Sequence, residues 1–102
     1  MRNPEKICGY LGLAARSRHL ESGEYSTEKA VKSRRAFLVL VAGDASDNTK
    51  DKFHSMCSYY GVPCHELLDR EGLGHAIGRE FRASCAVTDE NLSKAIIRII
   101  EQ

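Results

Sequence analysis

Five apolar positions near the C-terminus, Leu92, Ala95, Ile96, Ile99 and Ile100, recur at three- and four-residue intervals. That spacing lines side chains along one face of an α-helix, and Thr88 or Asp89 stands where an N-cap belongs. The same pattern predicts a helix over residues 4–16, opened by Asn3-Pro4 and carrying Ile7, Leu11, Ala14 and Ala15. Phe53, Met56, Cys57 and Tyr60 fall at i, i+3, i+4 and i+7 of a third segment, which Ser46 or Asp47 can cap and which Gly61 and Pro63 stop. Gly23 opens a helix running to about Ser33, with Ala30 and Val31 inward. Asp69 can cap a short helix bearing Leu73, Ala76 and Ile77, closed by Gly78.

Between these segments the pattern changes. Residues 36–43, AFLVLVAG, form a continuous apolar run rich in β-branched residues, as a strand buried on both faces requires. VPCHEL (62–67) and RASCAV (82–87) read as further strands, and HLES (19–22) as a short edge strand. Strands alternating with helices predict an α/β fold, a three-layer α/β/α sandwich around a small mixed four-stranded sheet. The 102 residues suit a single domain spanning 1–102, with no repeat or low-complexity tract.

Composition adds compartment and charge. No apolar run approaches the roughly 20 residues of a membrane span. MRNPEKICGYLGLAAR begins with positive charge but is interrupted by charges and glycines, so it reads as the first helix of a cytoplasmic protein and not as a signal peptide. Cys8, Cys57, Cys64 and Cys85 lie in apolar stretches with no Cys-x-x-Cys pair. They read as buried free thiols, neither disulfides nor metal ligands. The net charge is only +1, but residues 1–35 carry eight Lys or Arg against four Asp or Glu, while residues 36–102 carry seven against ten. A basic N-terminal block suits a polyanion, although a solvated helix face has the same composition.

Several motifs invite chemistry and fail on spacing. GLGHAIG (72–78) resembles a dinucleotide fingerprint, but its third glycine comes one position late and no buried strand precedes it. His75 with Ser84 or Cys85 suggests a nucleophile and base without any nucleophile elbow. Asp44, Asp47 and Asp51 lack the glycine and terminal glutamate of a calcium loop, and Cys64-His65 alone is too little for zinc. Neither an enzyme nor a cofactor-binding protein is indicated.

The stretch GEYSTEK (23–29) is different. Gly23 allows close approach of another backbone or a phosphate. The helix behind it presents amide donors and a positive dipole end. Glu24, Tyr25 and Ser26 fill the first turn, Lys29 follows one turn later, and Lys32, Arg34 and Arg35 extend the positive charge. Phosphate, base-edge and stacking contacts are the elements of RNA recognition.

LGLAARSRHLESGEYSTEKAVKS, FLVLVAGDAS, YYGVP, LGHAIG and ASCAVTD, in that order, resemble the ribosomal protein L-seven-Ae/L-thirty-e superfamily, and within it the small bacterial YlxQ-type members. The resemblance implies the sandwich already read from the pattern. It also implies non-catalytic binding of structured RNA, the kink-turn bent at tandem sheared G·A pairs, in a ribosomal setting. The family motif runs Gly, any residue, Asn, Glu, any two, Lys. Gly23 and Lys29 match it, and Tyr25 and Ser26 stand at the Asn and Glu positions. A second RNA-facing loop is implied at Arg79–Arg82, where Arg79 and Arg82 would meet phosphate. Phe81 would cover an extruded base or else pack as a core or edge aromatic. The competing readings are a general binder of double-stranded RNA or the ribosome surface, and a protein-interaction adaptor using the same end.

Overall fold

The two runs of most continuous apolar character become the two central strands of the computed structural model, which describes residues 3–102. The cationic start at residues 1–2 lies outside the described residues. β2 (Leu38–Val41) and β4 (Ser84–Val87) pair antiparallel, Leu38 opposite Val87 and Val41 opposite Ser84, and every residue of both is buried. β1 (Leu20–Ser22) adds antiparallel to the far side of β4, and β3 (Cys64–Glu66) adds parallel to β2. The mixed sheet therefore runs β1-β4-β2-β3. Its edge strands are only three residues long, which limits the unpaired backbone offered to other chains. The strands are shorter than the apolar runs that announce them. Residues such as Ala42 and Gly43 keep single backbone bonds, to Ala83 and Leu68, as the chain turns away.

Helices cover both faces. α2 (Glu24–Lys32) and α3 (Asp47–Tyr60) pack together on one side, while α1 (Pro4–Arg16) packs against α4 (Arg70–Ala76) and α5 (Glu90–Ile100) on the other. Ile7, Leu11, Leu73 and Ile96 from one layer, Phe53 and Val31 from the other, and Leu38 and Leu40 of the sheet are fully buried. The helix starts obey local chemistry. Ser46 accepts from Thr49 N at 3.2 Å, Asp69 from Gly72 N at 2.6 Å, and Asp89 from Leu92 N at 2.8 Å. α1 departs from expectation, because the Asn3 side chain makes no cap bond. Its carbonyl accepts from Lys6 and Ile7, and Pro4 presets the first turn.

All four cysteines are free. The expectation that all are buried holds for Cys57 and Cys85. Cys8 and Cys64 are half-buried, one on the flank of α1's apolar stripe and one on an edge strand. Burial pushes the Cys85 thiol up to about 12. Among the described residues, no three His, Cys, Asp or Glu side chains converge in a metal-holding group.

The glycine-rich segment that mimics a nucleotide motif is explained by packing. A Cβ on Gly74 would lie 2.5 Å from the Glu80 carbonyl oxygen and 3.0 Å from Phe81 Cα. Only a glycine lets the loop after α4 fold back onto the helix. Gly74→Ala is therefore expected to destabilise the protein by about 1–3 kcal/mol through overpacking. Gly9→Ala, in α1 where a Cβ meets nothing within 4 Å, should be neutral or stabilising by up to about 1 kcal/mol. Urea denaturation of the two variants distinguishes these effects.

An exposed ion pair joins α3 to β3. His54 Nε2 lies 2.7 Å from Glu66 Oε2, and Lys50 approaches the other carboxylate oxygen at 3.6 Å. The hydrogen bond to Glu66 raises the His54 pKa, and the bond from His54 lowers that of Glu66. The stability due to His54 is thus fully present below its ordinary value of 6.5 and is lost as pH rises through the raised value. The share due to Glu66 is present above 4.5 and lost on acidification. The denaturation midpoint of wild type should exceed that of His54→Gln most clearly between those two pH values, and the gap should narrow by pH 8.

Candidate nucleic-acid interface

Gly23 sits between β1 and α2 with φ 91° and ψ 161°, a conformation that a residue with a side chain enters only under strain. Its N–H donates to the Ser84 carbonyl at 3.0 Å, and its own carbonyl accepts from Thr27 N at 2.9 Å. Beneath them Ser84 Oγ donates to Thr27 Oγ1 at 3.1 Å, and both residues are fully buried. The start of α2 is thereby bolted to the central strand. In front of it the space is open, since a Cβ on Gly23 would meet nothing within 4 Å.

That helix start is also uncapped. Side chains satisfy the first turns of α3, α4 and α5, but Gly23 has none to offer. The amides of Glu24, Tyr25 and Ser26, without intrahelical acceptors, point outward from the positive end of the helix dipole. A helix start of this kind can receive an anionic oxygen.

The side chains around it fall into two groups. Tyr25 is 77% exposed, and Lys29, one turn on, is exposed with no ion pair among the described residues. Lys32 is occupied, lying 2.8 Å from Glu28. Lys52 of α3 reaches Glu28 at 2.6 Å and Glu24 at 3.4 Å. The bonds from Lys32 and Lys52 hold the Glu28 carboxyl down at about 2. Lys29 is therefore the cation of this helix left available to a ligand. Tyr25, Glu28, Lys29, Lys32 and Ser33 line an open groove of about 400 Å³, while Ser26 is half-buried beside it.

The loop between α4 and β4 is brought to the same end of the sheet. Arg82 Nε donates to Ser22 Oγ at 3.2 Å, one Arg82 Nη donates to the Phe81 carbonyl at 2.8 Å, and Arg82 N donates to the Arg70 carbonyl at 3.0 Å. The guanidinium thus clips the loop to the β1–α2 junction. Phe81, with a core position as one of its two readings, is 61% exposed. Arg79 is exposed and makes no ion pair among the described residues. Phe81, Arg79 and His75 share a second groove, about 650 Å³, with the acids Asp69, Glu71 and Glu80.

The supporting roles of several residues carried no signal in the sequence. Ser22, Thr27 and Ser84 are ordinary polar residues whose roles exist only once β1, α2 and β4 meet. Asp44, considered above as a cation ligand, instead accepts from Arg70 N at 2.8 Å and pairs with Arg70 Nε at 3.5 Å, tying the loop after β2 to the start of α4.

Residues 5–97 match the family model described as the ribosomal protein L7Ae/L30e/S12e/Gadd45 family. The chain is 42% identical over 91 residues to a protein named RNA-binding protein YlxQ from Bacillus subtilis, covering 89% of this chain and 91% of that one. It is 36% identical over 99 residues to the Enterococcus faecium protein of the same name, covering 97% and 95%. A solved structure described as a protein with unknown function from Bacillus halodurans C superposes with a TM-score of 0.92 at 36% identity, covering 95% and 98%. The fold is shared with a Giardia lamblia 15.5kD RNA binding protein, with a TM-score of 0.82 at 20% identity, covering 99% of this chain and 90% of that one. The chain belongs to the ribosomal protein L7Ae/L30e/S12e/Gadd45 family.

Proposed function

We propose that this protein is a non-catalytic RNA-binding protein of the cytoplasm that docks a sharply bent, kink-turn-like element of structured RNA, in a ribosomal setting, against the start of α2. The observation that carries this reading is the uncapped, positive-φ helix start at Gly23, open in front and rigidly held behind. Phosphate oxygens accept from the free amides, and Lys29 faces phosphate or a base edge. The exposed Tyr25 ring offers a stacking face. Arg79 and Phe81 extend the contact along the neighbouring loop. Arg82 supports the surface by holding that loop, and Lys32 supports it by neutralising Glu28. The names of two close relatives, both RNA-binding proteins, support the same reading.

Tyr25 and Ser26 replace the amide and carboxylate that the family motif uses to read sheared G·A pairs. On this reading a phenol and a hydroxyl share that task. A titration comparing kink-turn RNA with the same duplex carrying Watson–Crick pairs in place of the tandem G·A pairs tests the specificity. Preference for the kink-turn RNA is expected, and equal affinity would reduce the protein to a general duplex binder.

Two to four phosphate contacts give a log–log dependence of affinity on salt with a slope of roughly −2 to −4. A flat dependence would favour a protein partner instead. Gly23→Val closes the approach and strains the backbone, and Lys29→Ala removes one charge-assisted contact worth on the order of 1–3 kcal/mol. Each is expected to weaken kink-turn RNA binding about tenfold or more. Lys94→Ala, on α5 in the opposite helical layer, should bind as wild type does. Circular dichroism checks that all three variants remain folded.

A further inference from the structure

The register of the sheet assembles a second surface, opposite the first. Leu20 and Leu38 both stand across from Val87, so the turns that precede β1 and β2 lie at the same end, flanking the exit of β4. His19 and Phe37 each join that exit through a backbone bond, Thr88 N to the His19 carbonyl and Phe37 N to the Val87 carbonyl, both at 2.9 Å. With strands about 4.8 Å apart, the two turns are separated by roughly 10 Å. α3 ends at the same side, where the Arg34 guanidinium carbon lies 5.2 Å from the centre of the Tyr60 ring and Tyr59 packs edge-on against Tyr60. Arg18, His19, Arg34, Arg35, Phe37 and Tyr59 are therefore gathered at one end, all of them exposed.

Three observations mark this end as more than solvated surface. First, four Phe or Tyr side chains are exposed among the described residues, and they divide evenly. Tyr25 and Phe81 lie at the first end, and Phe37 (41% exposed) and Tyr59 (81% exposed) at the second. Second, the charge is uncompensated. Glu21 pairs with Arg35 at 3.7 Å, Asp89 caps α5, and Glu90 pairs with Lys94, while Arg18 and Arg34 make no ion pair among the described residues. Third, the backbone is strained where these arginines sit. α3 and α4 are followed by Gly61 at φ 72° and Gly78 at φ 78°. Two residues past the ends of α1 and α2, where Gly78 stands past α4, are Arg18 at φ 63° and Arg34 at φ 61°. Glycine is the residue such helix ends prefer, so two arginines there sacrifice stability for a side chain.

We propose that this second end binds single-stranded RNA, with Arg18 and Arg34 on phosphates and Phe37 and Tyr59 stacking on unpaired bases, so that the protein joins a bent duplex at one end to a single-stranded segment at the other. Cations interleaved with exposed aromatic faces are the combination that single strands require. The two ends face apart across a molecule measuring 29 × 26 × 26 Å, so both can be occupied together. The two-ended arrangement rests on the reading of α2 given above, but the second surface does not.

The test uses the full chain with a fluorescent 20-nucleotide oligouridine and a separate kink-turn RNA. Wild type is expected to bind the oligouridine with a salt-dependent affinity and to form a ternary complex with both RNAs. The double variant Arg18→Gly/Arg34→Gly installs the residue that both helix ends prefer, so it should remain folded with a melting temperature at or near that of wild type. Its oligouridine affinity should fall about tenfold or more, with kink-turn affinity within about twofold of wild type. Failure of wild type to bind oligouridine, displacement of oligouridine by the kink-turn RNA, or equal binding by the double variant would each overturn the proposal. Loss of oligouridine binding in the double variant of a protein that never binds the kink-turn RNA would sustain this surface and remove the α2 reading instead.

Discussion

The insertion of β4 between β1 and β2 is the constraint on which the rest of the structure depends. Residues 84–87 must return, late in the chain, to fill the gap between strands formed by residues 20–22 and 38–41. Until they do, neither neighbour has a partner on that side, and β1, three residues long, has none at all. Once β4 is in place, its two ends organise the surfaces at both ends of the sheet. Ser84 receives the Gly23 amide and bonds Thr27, and Val87 and Thr88 receive the turns that carry Phe37 and His19. The ladder costs little sequence information, because all four residues of β4 are small or β-branched and all are buried.

The helix start at Gly23 shows how stability is distributed around such a frame. A serine or aspartate in an ordinary extended N-cap conformation would satisfy one of the first amides of α2, a gain over glycine of roughly a few tenths of a kcal/mol. Glycine leaves the amides open and holds a backbone angle that other residues resist. The stability given up locally is recovered beneath the site, where Thr27 and Ser84 satisfy each other in the core. The electrostatics follow a similar division. Glu24 and Glu28 lie close to the proposed phosphate path, and Lys32 and Lys52 neutralise them, so the positive field at Lys29 is not cancelled by its own helix. A cation that meets no ligand can still matter to binding by quieting an acid.

The loop of Arg79 to Arg82 depends on a different kind of fit. Gly74 allows it to lie against α4, and the Arg82 guanidinium joins it to Ser22. A glycine on one side and a clip on the other place Phe81 in solvent beside the β1–α2 junction. The GLGHAIG segment is thus a packing device, and its likeness to a nucleotide-binding fingerprint comes from the same property of glycine, close approach of backbone, put to another use.

The sequence by itself determined the elements, their order and their inward faces. Periodicity at Leu92 to Ile100 and the unbroken apolar run at Leu38 to Val41 follow from local geometry, and burial demands them wherever the segments end up. It also determined that GEYSTEK is an unusual helix start, because glycine in place of a capping side chain is visible in one dimension. Only the tertiary structure decided which charges are available. Glu28, one turn before Lys32, already marks that lysine for a local pair, but Lys52 arrives from another helix to complete the neutralisation, which leaves Lys29 as the unpaired cation of α2 among the described residues. Only the tertiary structure decided that Arg82 supports a loop while Arg79 stays free, and that turns sixteen residues apart in sequence, at Arg18 and Arg34, share one end of a sheet. The physical reason is common to these cases. Pairing, clipping and clustering are contacts between distant segments, and their register is set by β4, whose place between β1 and β2 no local pattern encodes.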